Sequence, residues 1–366
     1  MVRSVRKQFW VSYLILMFFS TTLGRSVLRP KDPTIPRIET SWTNEDSEFY
    51  TLRNSHLEEY PIFKTFNHKF FFQNLLPEGK IFYRYEPKKY VTGKTIEKII
   101  NNVFKEIEQK KKKYKDFIIL RRRDFNRRKK SGLLILKCKK YPFVVKIFKE
   151  NPKSFVLHKT KGIIPTFFFY MSGGINRHLL GFTRIKNLQD MQKRLNKSPL
   201  WKNKVTMPRK WFILPKSNRW MNISGFNIGK KRKQKIKVPG IYCLVSDWVD
   251  GERTTSVFSS KDRQTCMQLC NYLELAIDPH IDNFMIERNT GKVAIVDTEH
   301  FLSVVGMRKK KTFRGYFSWG VYLANIALES MFFRTKKRRK VLQNKEWGPA
   351  RLTYNEPIGK SPSPFA

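Results

Sequence analysis

One short stretch narrows the folds open to this chain more than any other. It reads Asp278-Pro-His-Ile-Asp-Asn283-Phe-Met-Ile286, and then Val293-Ala-Ile-Val-Asp297-Thr-Glu299. Two apolar runs, 284–286 and 293–296, flank Asn289-Thr290-Gly291, a turn sequence that predicts a β-hairpin. A hairpin brings its two ends together, so Asn283 and Asp297 are expected on one rim, with Asp278 five residues ahead of Asn283. Upstream, Ser260 offers an N-cap for a helix whose apolar face is Cys266, Leu269, Cys270, Leu273 and Ile277. A helix, a polar loop and a hairpin in succession call for a mixed α+β fold.

The same alternation of elements extends towards the amino terminus. Ile96, Ile99, Ile100, Val103, Phe104 and Ile107 recur at helical spacing, and the helix runs out into a lysine run at 110–113. After Ser131-Gly132, apolar runs at 133–136 and 143–148 read as a hairpin that carries Lys146 on its second strand. Residues 165–170 look strand-like, Gly173-Gly174 marks a turn, 188–195 reads as helix, and the basic stretch 230–235 as an exposed loop. Residues 241–245 fit a buried strand closing in Asp247-Trp248-Val249-Asp250-Gly251, and 315–333 an aromatic-rich helix. The layout expected is a leader at 1–24, an arm and basic helical extension at 25–130, two halves of one domain at 131–250 and 251–345, and a loose tail at 346–366. No internal repeat is evident.

Taken in order, these elements resemble the protein-kinase-like superfamily, including small-molecule phosphotransferases and atypical kinases. The resemblance covers roughly 131–335 and is specific at 278–297. It implies a bilobal fold with a small β-rich amino lobe and a mainly helical carboxyl lobe. It also implies ATP and Mg²⁺ as cofactors and an unknown hydroxyl-bearing protein or small molecule as phosphate acceptor. Phosphoryl transfer needs a carboxylate to orient or deprotonate that hydroxyl, and oxygen ligands to hold Mg²⁺ on the phosphates. By position Asp278 would be the base, Asn283 and Asp297 the metal ligands, and Lys146 the contact to nucleotide phosphates. Asp247, Trp248 and Val249 would form the linker whose backbone meets the adenine, and His280 would support the loop.

The chain also departs from that pattern. Ala276 stands two before the presumed base, where the family usually has His or Tyr. No Gly-x-Gly-x-x-Gly loop precedes the hairpin, where Gly132 alone remains. The helix Glu that pairs the strand lysine is missing, and Asp190 is the candidate substitute, with a shorter reach. Thr298-Glu299 replaces the usual Phe-Gly, and Glu299 is an added metal ligand, a supporting carboxylate or simply a surface acid. An inactive kinase-fold binding module therefore stands beside the enzyme as an alternative, and a basic polyanion-binding protein is another.

Charge and cysteine content bound the surroundings. With 74 Lys+Arg against 29 Asp+Glu, the net charge is +45. That suits an anionic surface or polyanionic partner, or reflects a compositional bias, since the excess is spread along the chain. Trp211 and Trp220 lie amid basic residues, but no specific nucleic-acid site is identifiable. Cys138, Cys243, Cys266 and Cys270 show no zinc spacing and read as core residues. Arg3, Arg6 and Lys7 precede an apolar stretch at 9–19 and small residues at 20–24, the pattern of a secretory signal. An exported protein is expected, with an uncleaved membrane anchor as the alternative.

Overall fold

The strand around Lys146 alternates in burial, so it has two faces with different tasks. It spans Phe143–Lys149 and forms part of a six-stranded sheet seen in the computed structural model. That model describes residues 37–42, 47–54, 66–121, 125–149, 178, 180–227, 233–300, 312–322 and 324. The expected leader, the strand at 165–170, the Gly173-Gly174 turn and the tail lie outside the described residues.

The sheet runs Lys210–Ile213, Ile241–Asp247, Phe143–Lys149, Ser131–Cys138, Phe117–Arg121, with Phe125–Asn126 also pairing to Ser131–Cys138. Every pairing in it is antiparallel, and Leu244 lies opposite Lys146. Because side chains alternate along a strand, Phe143, Val145 and Ile147 share a face with Cys243 and Val245, whereas Phe148 goes with Tyr242 and Leu244.

A helix at Gly93–Glu108 covers the first face with Ile96, Ile100, Val103, Phe104 and Ile107. Thr92 caps it, its hydroxyl accepting from the Thr95 N–H at 3.3 Å. Gly93 is required there, because a Cβ would fall 1.8 Å from the Pro77 carbonyl oxygen. The stretch expected as an extension before residue 131 therefore supplies an edge strand and the helix that covers one face of this sheet. The apolar stripe of that helix buries into the sheet.

The second face is covered by a helix at Thr183–Asn196, longer than the 188–195 expected. Its Ile185 joins Phe148, Phe182, Tyr242 and Leu244, and its Met191 and Leu195 join a different core. That core gathers Cys266, Leu269, Cys270, Leu273 and Ile277 around Phe284 and Ile295. The helix behind those cysteines runs Ser260–Tyr272 and is capped by Ser259, one residue earlier than expected, through the Asp262 N–H at 3.2 Å. The four cysteines are buried and free.

A smaller sheet orders Gly251–Thr254, Phe284–Glu287, Val293–Ile295 and Val205–Thr206, the last pairing being parallel. Phe284–Glu287 and Val293–Ile295 form the expected hairpin, with Phe284 opposite Ile295. A further four-stranded sheet joins Arg37–Trp42, Ser47–Asn54, Trp220–Asn227 and Lys233–Pro239. Lys233 and Lys235, expected in a loop, thus belong to a strand, because Trp220–Asn227 supplies it with an antiparallel partner. Helices and mainly antiparallel sheets make the class α+β. Among the described residues no helix is long and apolar enough to cross a membrane.

Candidate functional site

The Asp278 loop begins with a backbone irregularity. Glu274 and Leu275, which follow the helix Ser260–Tyr272, have φ of 54° and 57°. Neither is glycine, so the turn costs on the order of 1–2 kcal/mol per residue. It is held by the Leu275 N–H donating to Cys270 O at 2.8 Å and by full burial of Leu275. Next, Asp278 Oδ1 accepts from the His280 N–H at 3.1 Å, and His280 Nδ1 accepts from the Asp282 N–H at 3.3 Å. Asn283 closes the loop, its Nδ2 donating to Asp278 O at 3.0 Å, while its own carbonyl accepts from the Val296 N–H at 2.9 Å. Loop and hairpin are thus bonded together. Burial pushes the Asp278 carboxyl up to about 6; nearby Glu299 and Asp297 add to that, and His280 opposes it.

Asp297 follows the second hairpin strand and is held from several sides. Lys146 Nζ donates to its Oδ2 at 2.8 Å, and Arg184 Nε to its Oδ1 at 2.9 Å. Arg184 Nη2 also reaches Glu299 Oε2 at 3.1 Å, and the Glu299 N–H donates to Asp297 Oδ1 at 3.2 Å. Lys210 Nζ donates to Val296 O at 3.1 Å and to Thr298 Oγ1 at 2.7 Å. Burial opposes ionisation of Asp297, but Arg184, Lys146 and Lys210 outweigh it and hold the carboxyl well below its ordinary value. Burial lowers both Lys146 and Lys210 despite the pull of Asp297. For Arg184 burial is overcome by Asp297 and Glu299, which raise it. Its guanidinium lies 5.3 Å from the Phe148 ring centre, and among the described residues Nη1 has no hydrogen-bond partner.

Lys146, Asp278, Asn283, Asp297 and Glu299, read from the sequence, are therefore brought together. Asp190 is not part of this set. Its carboxylate takes Lys186 Nζ at 2.6 Å, one turn away on its own helix, and Lys146 pairs with Asp297 instead. Asp247 is buried and accepts from Arg209 at its N–H (3.0 Å), Nε (2.9 Å) and Nη2 (2.8 Å), so its carboxylate anchors a neighbouring strand. In that linker the Trp248 N–H donates to Pro142 O at 2.7 Å and the Asp250 N–H to Tyr85 Oη at 3.1 Å. Among the described residues, no partner takes the Val249 N–H. Lys137 sits 3.7 Å over the Trp248 ring.

Sequence reasoning missed Arg184, Asn187 and Lys210. Arg184 and Asn187 interrupt the apolar pattern at the start of their helix, which hid its first turn. Lys210 shares a strand with Trp211, Phe212 and Ile213, and its burial at 7% exposure is legible only as a period-2 position in an apolar run.

The donor set can be weighed against a divalent cation. Among the described residues no group of three or more His, Cys, Asp or Glu side chains is placed to hold a metal. Mg²⁺ usually takes one or two carboxylates and draws further ligands from phosphates and water. An ionised Asp297, and an Asn283 whose Nδ2 is already committed so that Oδ1 remains its acceptor, fit that requirement by donor type. No protein-family model matches this chain, and no curated protein matches it in sequence.

Proposed function

We propose that this protein is a kinase-like phosphotransferase of bilobal design, moving the γ-phosphate of ATP to a hydroxyl acceptor. The observation that carries the reading is the convergence of Lys146 and Asp297, at 2.8 Å, with the Asp278–Asn283 loop bonded to the strand that leads into Asp297. Lys146 would pass from Asp297 to nucleotide phosphates. Asn283, Asp297 and, by proximity, Glu299 would hold Mg²⁺, which when bound neutralises charge on the phosphates. Asp278 accepts the acceptor hydroxyl's proton as that oxygen bonds to the γ-phosphorus; the bond to the bridging oxygen breaks and ADP leaves. The segment at Asp247, Trp248 and Val249 offers the Val249 N–H to the nucleotide base.

The test is Mg²⁺-dependent phosphate transfer by Asp278→Ala and Asp297→Ala. Each is expected to lose about 10²–10⁴-fold, and wild-type rates in both would end the assignment. A second reading has its own support: both Asp297 oxygens are engaged by Lys146 and Arg184, which favours a metal-free binding module. Nucleotide that stabilises the protein equally with Mg²⁺ and with a chelator, in a thermal-shift titration, would favour that module. The basic, then apolar, amino terminus supports export, and the charge of +45 supports an anionic surface as partner.

A further inference from the structure

Two polar segments meet at the site, and one neutral side chain joins them. Asn187 lies on the helix Thr183–Asn196, 5% exposed. Its Nδ2 donates to Ala276 O at 2.8 Å and to Thr298 O at 3.0 Å. Ala276 is two residues before Asp278, and Thr298 follows Asp297 directly. Neither carbonyl belongs to a strand, so each needs a partner from elsewhere to be buried without penalty. A primary amide carries two protons on one nitrogen, and can bridge two acceptors where a hydroxyl bridges one. Ala276 itself brings no polar side chain to the junction. One turn earlier, Arg184 holds the Asp297 and Glu299 carboxylates and accepts, at its carbonyl, from Thr298 Oγ1 at 2.7 Å. The same helix therefore grips the side chains through Arg184 and the backbone through Asn187.

We propose that Asn187 is a positioning residue that staples the Asp278 loop to the Asp297 segment, fixing the separation of the two carboxylates. Its catalytic meaning rests on the phosphotransferase reading; its structural meaning does not. Holding reacting groups to within an ångström is worth about 10²-fold in rate, so the staple acts on turnover more than on nucleotide capture.

The test uses the full chain with Asn187→Asp, nearly isosteric but without either donor. Amide hydrogen exchange is expected to accelerate by about tenfold or more in residues 276–283 and 296–300 together, with the sheet strand Phe143–Lys149 unchanged. Where phosphate transfer is measured, kcat is expected to fall about 10²-fold with the nucleotide KM within about twofold of wild type. If the Asp variant does not fold, Asn187→Ala leaves no buried charge and gives the same readout. Unchanged exchange, acceleration in one segment alone, or uniform acceleration across the whole protein would each overturn the staple. A wild-type protein that transfers no phosphate would defeat the phosphotransferase reading, while the exchange pattern would still decide the role of Asn187.

Discussion

Two helices cover opposite faces of the main sheet, and they bury opposite chemistry. Gly93–Glu108 presses Ile96, Ile100, Val103, Phe104 and Ile107 into the sheet. Thr183–Asn196 buries Thr183, Arg184 and Asn187 as well as Ile185, Met191 and Leu195. The first helix contributes by removing apolar area from water. The second buries polar groups that need partners, and Arg184 and Asn187 find theirs on the Asp297 segment and the turn leading into the Asp278 loop, with Arg184 Nη1 left without one among the described residues. One face of the sheet is therefore a support, and the other is where charges are arranged. Buried polar groups are costly unless paired, and their concentration on one helix sets that face apart from the other.

The sharpest way to break this contrast is Arg184→Met, which removes the cation and keeps the bulk. Asp297 and Glu299 lose a buried partner, and the expected cost is about 3–5 kcal/mol in denaturant unfolding, together with loss of phosphate transfer. On the supporting face, Ile100→Ala should cost about 2–5 kcal/mol by the cavity it opens, but folded protein should transfer phosphate at close to the wild-type rate. Equal effects of both variants on turnover would erase the distinction between the faces.

A smaller effect concerns pH. The Asp278 carboxyl titrates in the native protein at about 6, above its value of about 3.9 in an unfolded chain. The native state therefore binds the proton more tightly, and this stabilisation is full below about pH 4 and lost as pH rises through 6. Asp278→Asn, uncharged throughout, should melt higher than wild type near pH 8, with the gain vanishing towards pH 4. Asp297, held low by its cations, behaves oppositely: its contribution is present above the unfolded value and lost as pH falls through the native one. The smallest effect is expected at Asp190. Its pair with Lys186 is partly exposed, so Lys186→Ala should change stability by no more than about 0.5 kcal/mol and leave activity alone.

How much of this was legible in the sequence follows the same divide. The helix at Gly93–Glu108 was readable because one repeating apolar stripe determines it. So was the hairpin that unites Asn283 with Asp297, because turn residues and apolar runs are local signals. Arg184, Asn187 and Lys210 were not readable. Each is buried for the sake of a partner roughly 90 or more residues away in sequence, and a long-range partner leaves no local periodicity. Asp190 is, apart from Glu150, the only acid in sequence between the Lys146 strand and Asp247, but a lysine one turn away claims it. The Lys233–Lys235 stretch looked like loop because its strand partner is read from pairing, and charge runs obscure pairing.

The sheet that holds Ser47–Asn54 carries a consequence for the order of synthesis. That strand pairs in parallel with Trp220–Asn227, Ser47 opposite Trp220, roughly 170 residues later. A ribosome adding about 5–20 residues per second takes roughly ten to thirty seconds to supply the partner. Until then the early hairpin Arg37–Trp42 and Ser47–Asn54 keeps an open edge, the kind of surface that other chains can pair with. Nascent chains ending before residue 220 should therefore be the ones that chaperones retain.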